Sequence, residues 1–265
     1  MENLIVVGVL IFVVAVLMTM VGKGGGNFYV VILALSSIPM HQAAATGQFI
    51  LFAASLAALI IFQKNKTISW PLVILIGGFV SFSALGGGLF SHYFSGTVLK
   101  IIFSVMLVAA GIIMLVPVKE LQQKTQPQRF GFICLKMAEG EHWVNLWIVI
   151  PVTILTGFAS GMVGVSGGSF LVPLMVLACG VSMRTAVGTA STLIAVTALM
   201  GFTGHALQGD FNASWALPLA VVTIVGGVIG GKLALRAKPK NLKRIFAYTN
   251  WLAAIFMMIN VVTAN

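Results

Sequence analysis

Glycines and small hydrogen-bonding residues are grouped twice along this chain, once with a lysine, in a pattern suited to holding an anion. The first group is Gly22-Lys23-Gly24-Gly25-Gly26-Asn27. The second is Gly164-Val165-Ser166-Gly167-Gly168-Ser169. Successive glycines lower helix stability and open dihedrals closed to other residues. A helix that starts after such a string presents unpaired backbone N–H groups and the positive end of its dipole. Carboxylates and oxyanions bind to such ends. Lys23 adds a cation to the first string, able to attract an anion or to snorkel to a membrane face. Its counterpart is Val165, so the duplication does not demand it. Thr46, Gln48, Thr189, Ser191 and Thr192 follow the two strings and can donate hydrogen bonds without carrying charge. The same residues have ordinary uses: glycines pack helices closely, and hydroxyls cap helices or bond to backbone within membranes. The candidate substrate site is therefore Lys23, Gly24, Gly25, Gly26, Asn27, Thr46, Gln48, Ser166, Gly167, Gly168, Ser169, Thr189 and Ser191.

Other chemistries find no constellation. No His/Cys/Asp/Glu set has metal-ligand spacing, and Cys134 and Cys179 are too few for a metal site or a disulfide framework. Gly22-Lys23-Gly24 is not a phosphate-binding P-loop, because the spacing and the Lys-Ser/Thr ending are missing. No nucleophile–base pair is visible, so no enzyme activity and no cofactor are expected. His41, His92, His142 and His205 are the groups that titrate near neutral pH. His205 has Asp210 nearby in sequence, a pair that can relay protons if transport is coupled to them. The scarcity of carboxylates in apolar segments speaks against a carboxylate relay.

The elements that must position these residues are membrane helices. Hydrophobic residues make up 59% of the 265 residues and charged residues 8%, against about 25% charge in soluble domains. Several windows of about 20 apolar residues pass the length for spanning a bilayer. The expected fold is an all-α polytopic membrane protein, with the lipid bilayer as its main partner. The run from Leu4 lacks a basic n-region and a small-residue cleavage pattern, and reads as a retained first helix. The net charge of +10 sits mostly in connections, where it orients the chain and does not imply nucleic acid.

In order, Leu4–Val21 is a long apolar segment, followed by the break and a short stretch, Asn27–Ser37. Helices are expected from His41 to Phe62, Trp70 to Gly88 and Val98 to Val116. A polar connection over 118–142 holds Lys119, Lys124, Arg129 and Lys136. The plan then repeats with Trp143–Val163, the second break, short Phe170–Ala178, Met183–His205, Trp215–Leu235 and Leu242–Val262. Residues 1–117 form a first membrane repeat, 118–142 a cytoplasmic linker and 143–265 a second repeat.

The repeat is direct. Leu99-Lys100-Ile101-Ile102-Phe103 matches Leu242-Lys243-Arg244-Ile245-Phe246 at an offset of 143, as Met40–Thr46 matches Met183–Thr189. The breaks need a shift of one residue. If the short segments after the breaks do not cross, each half has four crossings and both halves share an orientation. If each crosses as part of a broken arrangement, each half has five and the second is inverted. Only the second option puts Lys64, Lys66, the linker, Arg184 and the cluster around Lys238 on one side, with Lys100 opposite. The positive-inside rule favours it and makes that side cytoplasmic. The expectation is two inverted repeats of about five membrane segments each.

The paired glycine breaks, the stretches Ala43–Thr46 and Ala186–Ser191, Pro39, Pro173 and the LKxxF ends resemble the sulfite exporter TauE/SafE (TSUP) family over nearly the whole chain. The resemblance implies a permease of the bacterial inner membrane for small organic or inorganic anions, often sulfur-containing, such as sulfite, sulfoacetate, sulfonates or thiosulfate. The first half departs from the pattern in having no counterpart of Pro173, and in carrying Lys23. The expected function is a secondary transporter working by alternating access, with a proton or sodium ion open as coupling partner and an oligomer allowed. The rivals are an uncoupled anion channel and a non-transporting membrane subunit.

Overall fold

The computed structural model describes residues 2–93, 95–115, 130–137, 140–165 and 167–263. Ser166 and most of the expected linker, including Lys119, Lys124 and Arg129, lie outside the described residues. In chain order the first half contains α1 (Glu2–Met20), α2 (Gly26–Leu35), α3 (Met40–Lys64), α4 (Trp70–Phe90) and α5 (Gly96–Leu115). The second contains α6 (Leu146–Val163), α7 (Gly168–Ala178), α8 (Met183–Leu207), α9 (Ala213–Arg236) and α10 (Pro239–Thr263). The starts of α8, α9 and α10 follow those of α3, α4 and α5 by the same 143 residues that relate the sequences. Among the described residues, α3, α4, α6, α8 and α9 are long and apolar enough to cross a membrane.

One element departs from an all-helical fold. Phe132–Met137 (β1) and Gly140–Asn145 (β2) pair antiparallel, from Phe132↔Asn145 to Met137↔Gly140. Phe, Ile, Trp and Val favour a pleated surface, and six residues are too few for a spanning helix. Trp143, expected to open the sixth helix, therefore belongs to β2. The helix starts at Leu146, where the Asn145 side chain accepts a hydrogen bond from the Trp147 N–H at 3.0 Å.

Close contacts fix the helix directions. Ala15 lies against Gly226, and Val16 and Thr19 against Gly230, so α1 runs parallel to α9. Ala54 lies against Gly227 and Ala58 and Ile61 against Gly231, so α3 is parallel to α9 as well. In the same way α4 follows α6, through Val80 with Gly157 and Ala84 with Gly161. It also follows α8, through Thr67 with Gly188 and Gly88 with Gly204. The equivalent helices α3 and α8 meet in the opposite sense: Gln48 touches Gly201, and Leu51 and Ile194 share one neighbour, Gly24.

α2 is about 15 Å long, half a hydrocarbon core. Ile32, Leu35 and Ser36 near its end line one cleft with Val6, Val7 and Leu10 of α1. α2 thus turns back along α1, and the first break is the tip of a helical V. A segment that turns back reverses chain direction as surely as one that crosses. α2 therefore reverses the chain direction without spanning.

Glycines make these crossings tight. A methyl group on Gly161 would run into the Ala84 carbonyl oxygen, and one on Gly157 into that of Val80. Backbone cannot yield as a side chain can. Gly161→Ala is therefore expected to cost about 1–3 kcal/mol. Gly78→Ala, with open space around it, should be neutral or stabilising by up to about 1 kcal/mol. Thermal unfolding in detergent separates the two, and equal midpoints would refute the packing argument.

Candidate functional site

Each break begins as a helix cap. α1 ends with Gly22 in the left-handed region at φ 78°. The Lys23 N–H reaches the Met18 carbonyl at 2.9 Å and the Gly22 N–H that of Thr19 at 3.0 Å. This is a Schellman closure, which needs glycine at its left-handed position. α6 ends likewise with Gly164 at φ 75°, and the N–H groups of Gly164 and Val165 both reach the Ser160 carbonyl at 3.1 Å. In the first break the left-handed backbone returns after Lys23 at Gly24 (φ 70°) and Gly25 (φ 99°) before α2 starts. Gly25 and Gly167 then accept the first intrahelical bonds of α2 and α7 at 3.0–3.1 Å.

The two breaks meet at the centre of the molecule. Asn27 and Ser169, each the second residue of its half-helix, are joined by a 3.0 Å hydrogen bond from the asparagine amide to the serine hydroxyl. Both are buried. A methyl on Gly168 would sit 2.5 Å from the Gly22 carbonyl oxygen and 3.0 Å from Lys23 Cα. One on Gly24 would meet Leu51 and Ser55, midway along α3, and Ile194, midway along α8. Each break also rests on the long helix of the other half, Gly22 on Val187 and Gly164 on Ala44. These two contacts are related by the repeat.

The electrostatics of this centre are one-sided. The N-termini of α2 and α7 point at each other, each worth roughly half a positive charge. Neither has an acidic residue in its first turn. Lys23 is fully buried beside them. Its ammonium donates to the Phe246 carbonyl at 2.6 Å and to the Thr249 hydroxyl at 2.7 Å, and lies 4.2 Å from the Phe246 ring centroid. No carboxylate pairs with it among the described residues. A buried, unpaired cation is costly, and two facing helix dipoles add to the cost. A bound anion would relieve both.

The other expected residues divide in two. Gln48 donates from Nε2 to the Ser160 carbonyl at 3.0 Å, on the cap of the second break, while its Oε1 is buried without a partner. The Thr46 hydroxyl is buried and unpartnered. By contrast, Ser191 and Thr192 donate to their own helix, to Val187 and Gly188 at 3.0 and 3.2 Å. The Thr189 hydroxyl accepts the Ser69 N–H at 2.9 Å and so ties α8 to the start of α4. This contact lies toward one end of the bundle.

Four residues at the centre were not singled out from sequence. Phe246 and Thr249 hold the lysine. The Tyr29 hydroxyl lies 2.7 Å from a methyl placed on Gly25, and the Ser55 hydroxyl 3.0 Å from one placed on Gly24. Both hydroxyls are buried and unpartnered. The available signal was one polar residue in an apolar run: Tyr29 in Phe28–Leu35, Ser55 in Ala53–Leu59.

Comparison with known proteins supports membership of one family. The family model described as Sulfite exporter TauE/SafE matches residues 7–257. A probable membrane transporter protein of Methanocaldococcus jannaschii is 25% identical, over 97% of this chain and 94% of its own length. The probable membrane transporter protein YunE of Bacillus subtilis is 22% identical, over 86% of this chain and 87% of its own. A probable membrane transporter protein of Xylella fastidiosa is 24% identical, over 89% and 87%. No solved structure matches. With two glycine breaks joined at the centre of a multi-pass helical bundle, the chain belongs to the sulfite exporter TauE/SafE family, a family of membrane transporters and not of enzymes.

Proposed function

We infer that this chain is a secondary permease for a small anion, with sulfite and organic sulfonates as the leading substrates. One observation carries this: two half-helix N-termini meet through Asn27 and Ser169, beside a buried lysine that no carboxylate pairs among the described residues. A tetrahedral or pyramidal oxyanion has the charge and the several acceptor oxygens that such a cradle satisfies. Gly24, Gly25, Gly26 and Gly168 let backbone approach the anion, while Gly167 caps α7 with ordinary helical dihedrals. Lys23, Asn27, Gln48, Ser169, Tyr29 and Ser55 supply polar groups around it. Thr189 serves by tying α8 to the start of α4, while Ser191 lies on α8 beside the cradle with its hydroxyl on its own helix.

The opposed senses of α3 and α8 favour an inverted repeat, the construction used by transporters that rock one half against the other around a central site. Lys64, Arg184 and Arg236 share one end of the bundle through the contacts of α3 with α9 and of α4 with α8. The positive-inside rule makes that end cytoplasmic, in a bacterial inner membrane.

Proteoliposomes test the proposal. Uptake of labelled sulfite, ethanesulfonate, thiosulfate and acetate is measured by counterflow, with the same anion trapped inside. Saturable counterflow of a sulfur oxyanion is the expected result. Linear, non-saturating flux would indicate a channel, and absence of flux together with absence of binding would sink the transporter reading.

A further inference from the structure

A second polar cluster lies away from the cradle, at the end of the bundle opposite Lys64, Arg184 and Arg236. His205, in the last turn of α8, is fully buried. Its Nε2 lies 2.9 Å from the Gly161 carbonyl oxygen. A carbonyl only accepts, so Nε2 carries a proton. Nδ1 has no hydrogen-bond partner and lies 3.6 Å from an oxygen of Asp210, which is itself largely buried. In the neutral ring a bare lone pair therefore faces a carboxylate. A second proton on Nδ1 would turn that contact into a charge-assisted bond.

We propose that His205 and Asp210 form a proton-binding site that couples anion movement to the transmembrane proton gradient; this rests on the permease reading above. A proton from water at that end is taken onto Nδ1, held against Asp210, and released from the same atom to the other compartment when the halves rock. Among the described residues, His41 of α3 also interacts electrostatically with the ring, and His92 and Tyr93 lie at the same end, in the short turn after α4 where Gly88 packs on Gly204. α4, α6 and α7 contain no titratable side chain, and Lys232 and Arg236 of α9 lie toward the other end. The positions equivalent by the 143-residue offset are Phe62 and Thr67, neither of which titrates near neutrality. The device is thus built into one half only.

The link to the cradle is a short run of backbone. In a regular helix the Gly161 carbonyl would take the Val165 N–H, but at this cap that N–H goes to Ser160. His205 fills the vacancy. The adjacent Ser160 carbonyl receives Gly164, Val165 and the Gln48 amide, and the Ser160 hydroxyl donates to the Val165 carbonyl at 2.9 Å. The imidazole is therefore one residue away from the knot that shapes the second break. Charging it biases that knot toward one of its arrangements, as coupling requires.

The test uses full-length protein in proteoliposomes with the membrane potential clamped. The probes are sulfite and ethanesulfonate, the latter of fixed charge. Counterflow at equal pH reads anion transport alone; accumulation under an imposed pH difference reads coupling. One proton per anion gives roughly tenfold accumulation for each unit of pH difference. His205→Gln keeps an N–H for Gly161, and Asp210→Asn removes only the carboxylate charge. Both variants are expected to retain counterflow within about threefold while accumulation falls to about one. Wild-type accumulation that ignores pH, or coupling that survives in both variants, overturns the proposal and leaves the permease reading standing. Absent counterflow in the wild type overturns both.

Discussion

Lys23→Met is expected to weaken sulfite binding by about a hundredfold or more while leaving the protein folded. Among the described residues the buried ammonium has no carboxylate partner, so on the permease reading the anion would be its counter-charge. Removing one member of such a buried pair costs about 3–5 kcal/mol, and each 1.36 kcal/mol is about a factor of ten. The fold does not need the charge. Methionine has a similar length, and its thioether can lie on the Phe246 ring as the ammonium does. Neither acceptor is orphaned, because the Thr249 hydroxyl donates within its own helix, to Ile245 at 2.7 Å and Phe246 at 3.0 Å. Replacing an unpaired buried charge by an apolar group is neutral or stabilising, so the unfolding temperature should hold or rise. Equilibrium binding and thermal unfolding on the same preparation decide the matter. Unaltered affinity and rate would remove Lys23 from the site, and a collapsed unfolding temperature would make it a structural pin.

The second large effect separates two adjacent glycines. Gly168→Ala should abolish transport, and Gly167→Ala should leave it nearly intact. At Gly168 the new methyl meets backbone of the opposite break, the Gly22 carbonyl oxygen at 2.5 Å and Lys23 Cα at 3.0 Å, besides the Ile194 side chain at 2.6 Å. Isoleucine can rotate, but the Gly22–Lys23 backbone is pinned by the cap of α1. The breaks must part, at about 1–3 kcal/mol of stability, and a cradle needs its groups within about 0.5 Å. Gly167 has ordinary helical dihedrals, φ −65° and ψ −15°. Its methyl would find Thr156 at 3.4 Å and nothing nearer. There alanine can even stabilise, by about 0.4–1 kcal/mol, through the unfolded chain. Counterflow normalised to reconstituted protein measures the difference. Equal activity in the two variants would show that contact between the breaks does not govern transport.

Much of this fold is written in the chain because membranes impose simple rules. Long apolar runs must be helices when no water can satisfy the backbone, and a duplicated sequence folds twice. The matching starts of Met40 and Met183, and of Trp70 and Ala213, follow from that. The hairpin at Phe132–Asn145 escaped for the converse reason. Outside the bilayer the same apolar residues pair as strands, and Trp143 looks alike in either setting.

The candidate site was legible as residue types but not as neighbours. Sequence alone determined two glycine breaks, few carboxylates and a lysine in one break, and hence the expectation of an anion. Only the tertiary structure decided that Asn27 meets Ser169, that Lys23 reaches Phe246 and Thr249, and that the Thr189 hydroxyl accepts from Ser69. Local sequence sets whether a backbone can bend, since glycine dihedrals and helix caps act within a few residues. Which bends touch depends on how α3 and α8 cross, and that crossing is settled by close packing of small residues some 140 positions apart.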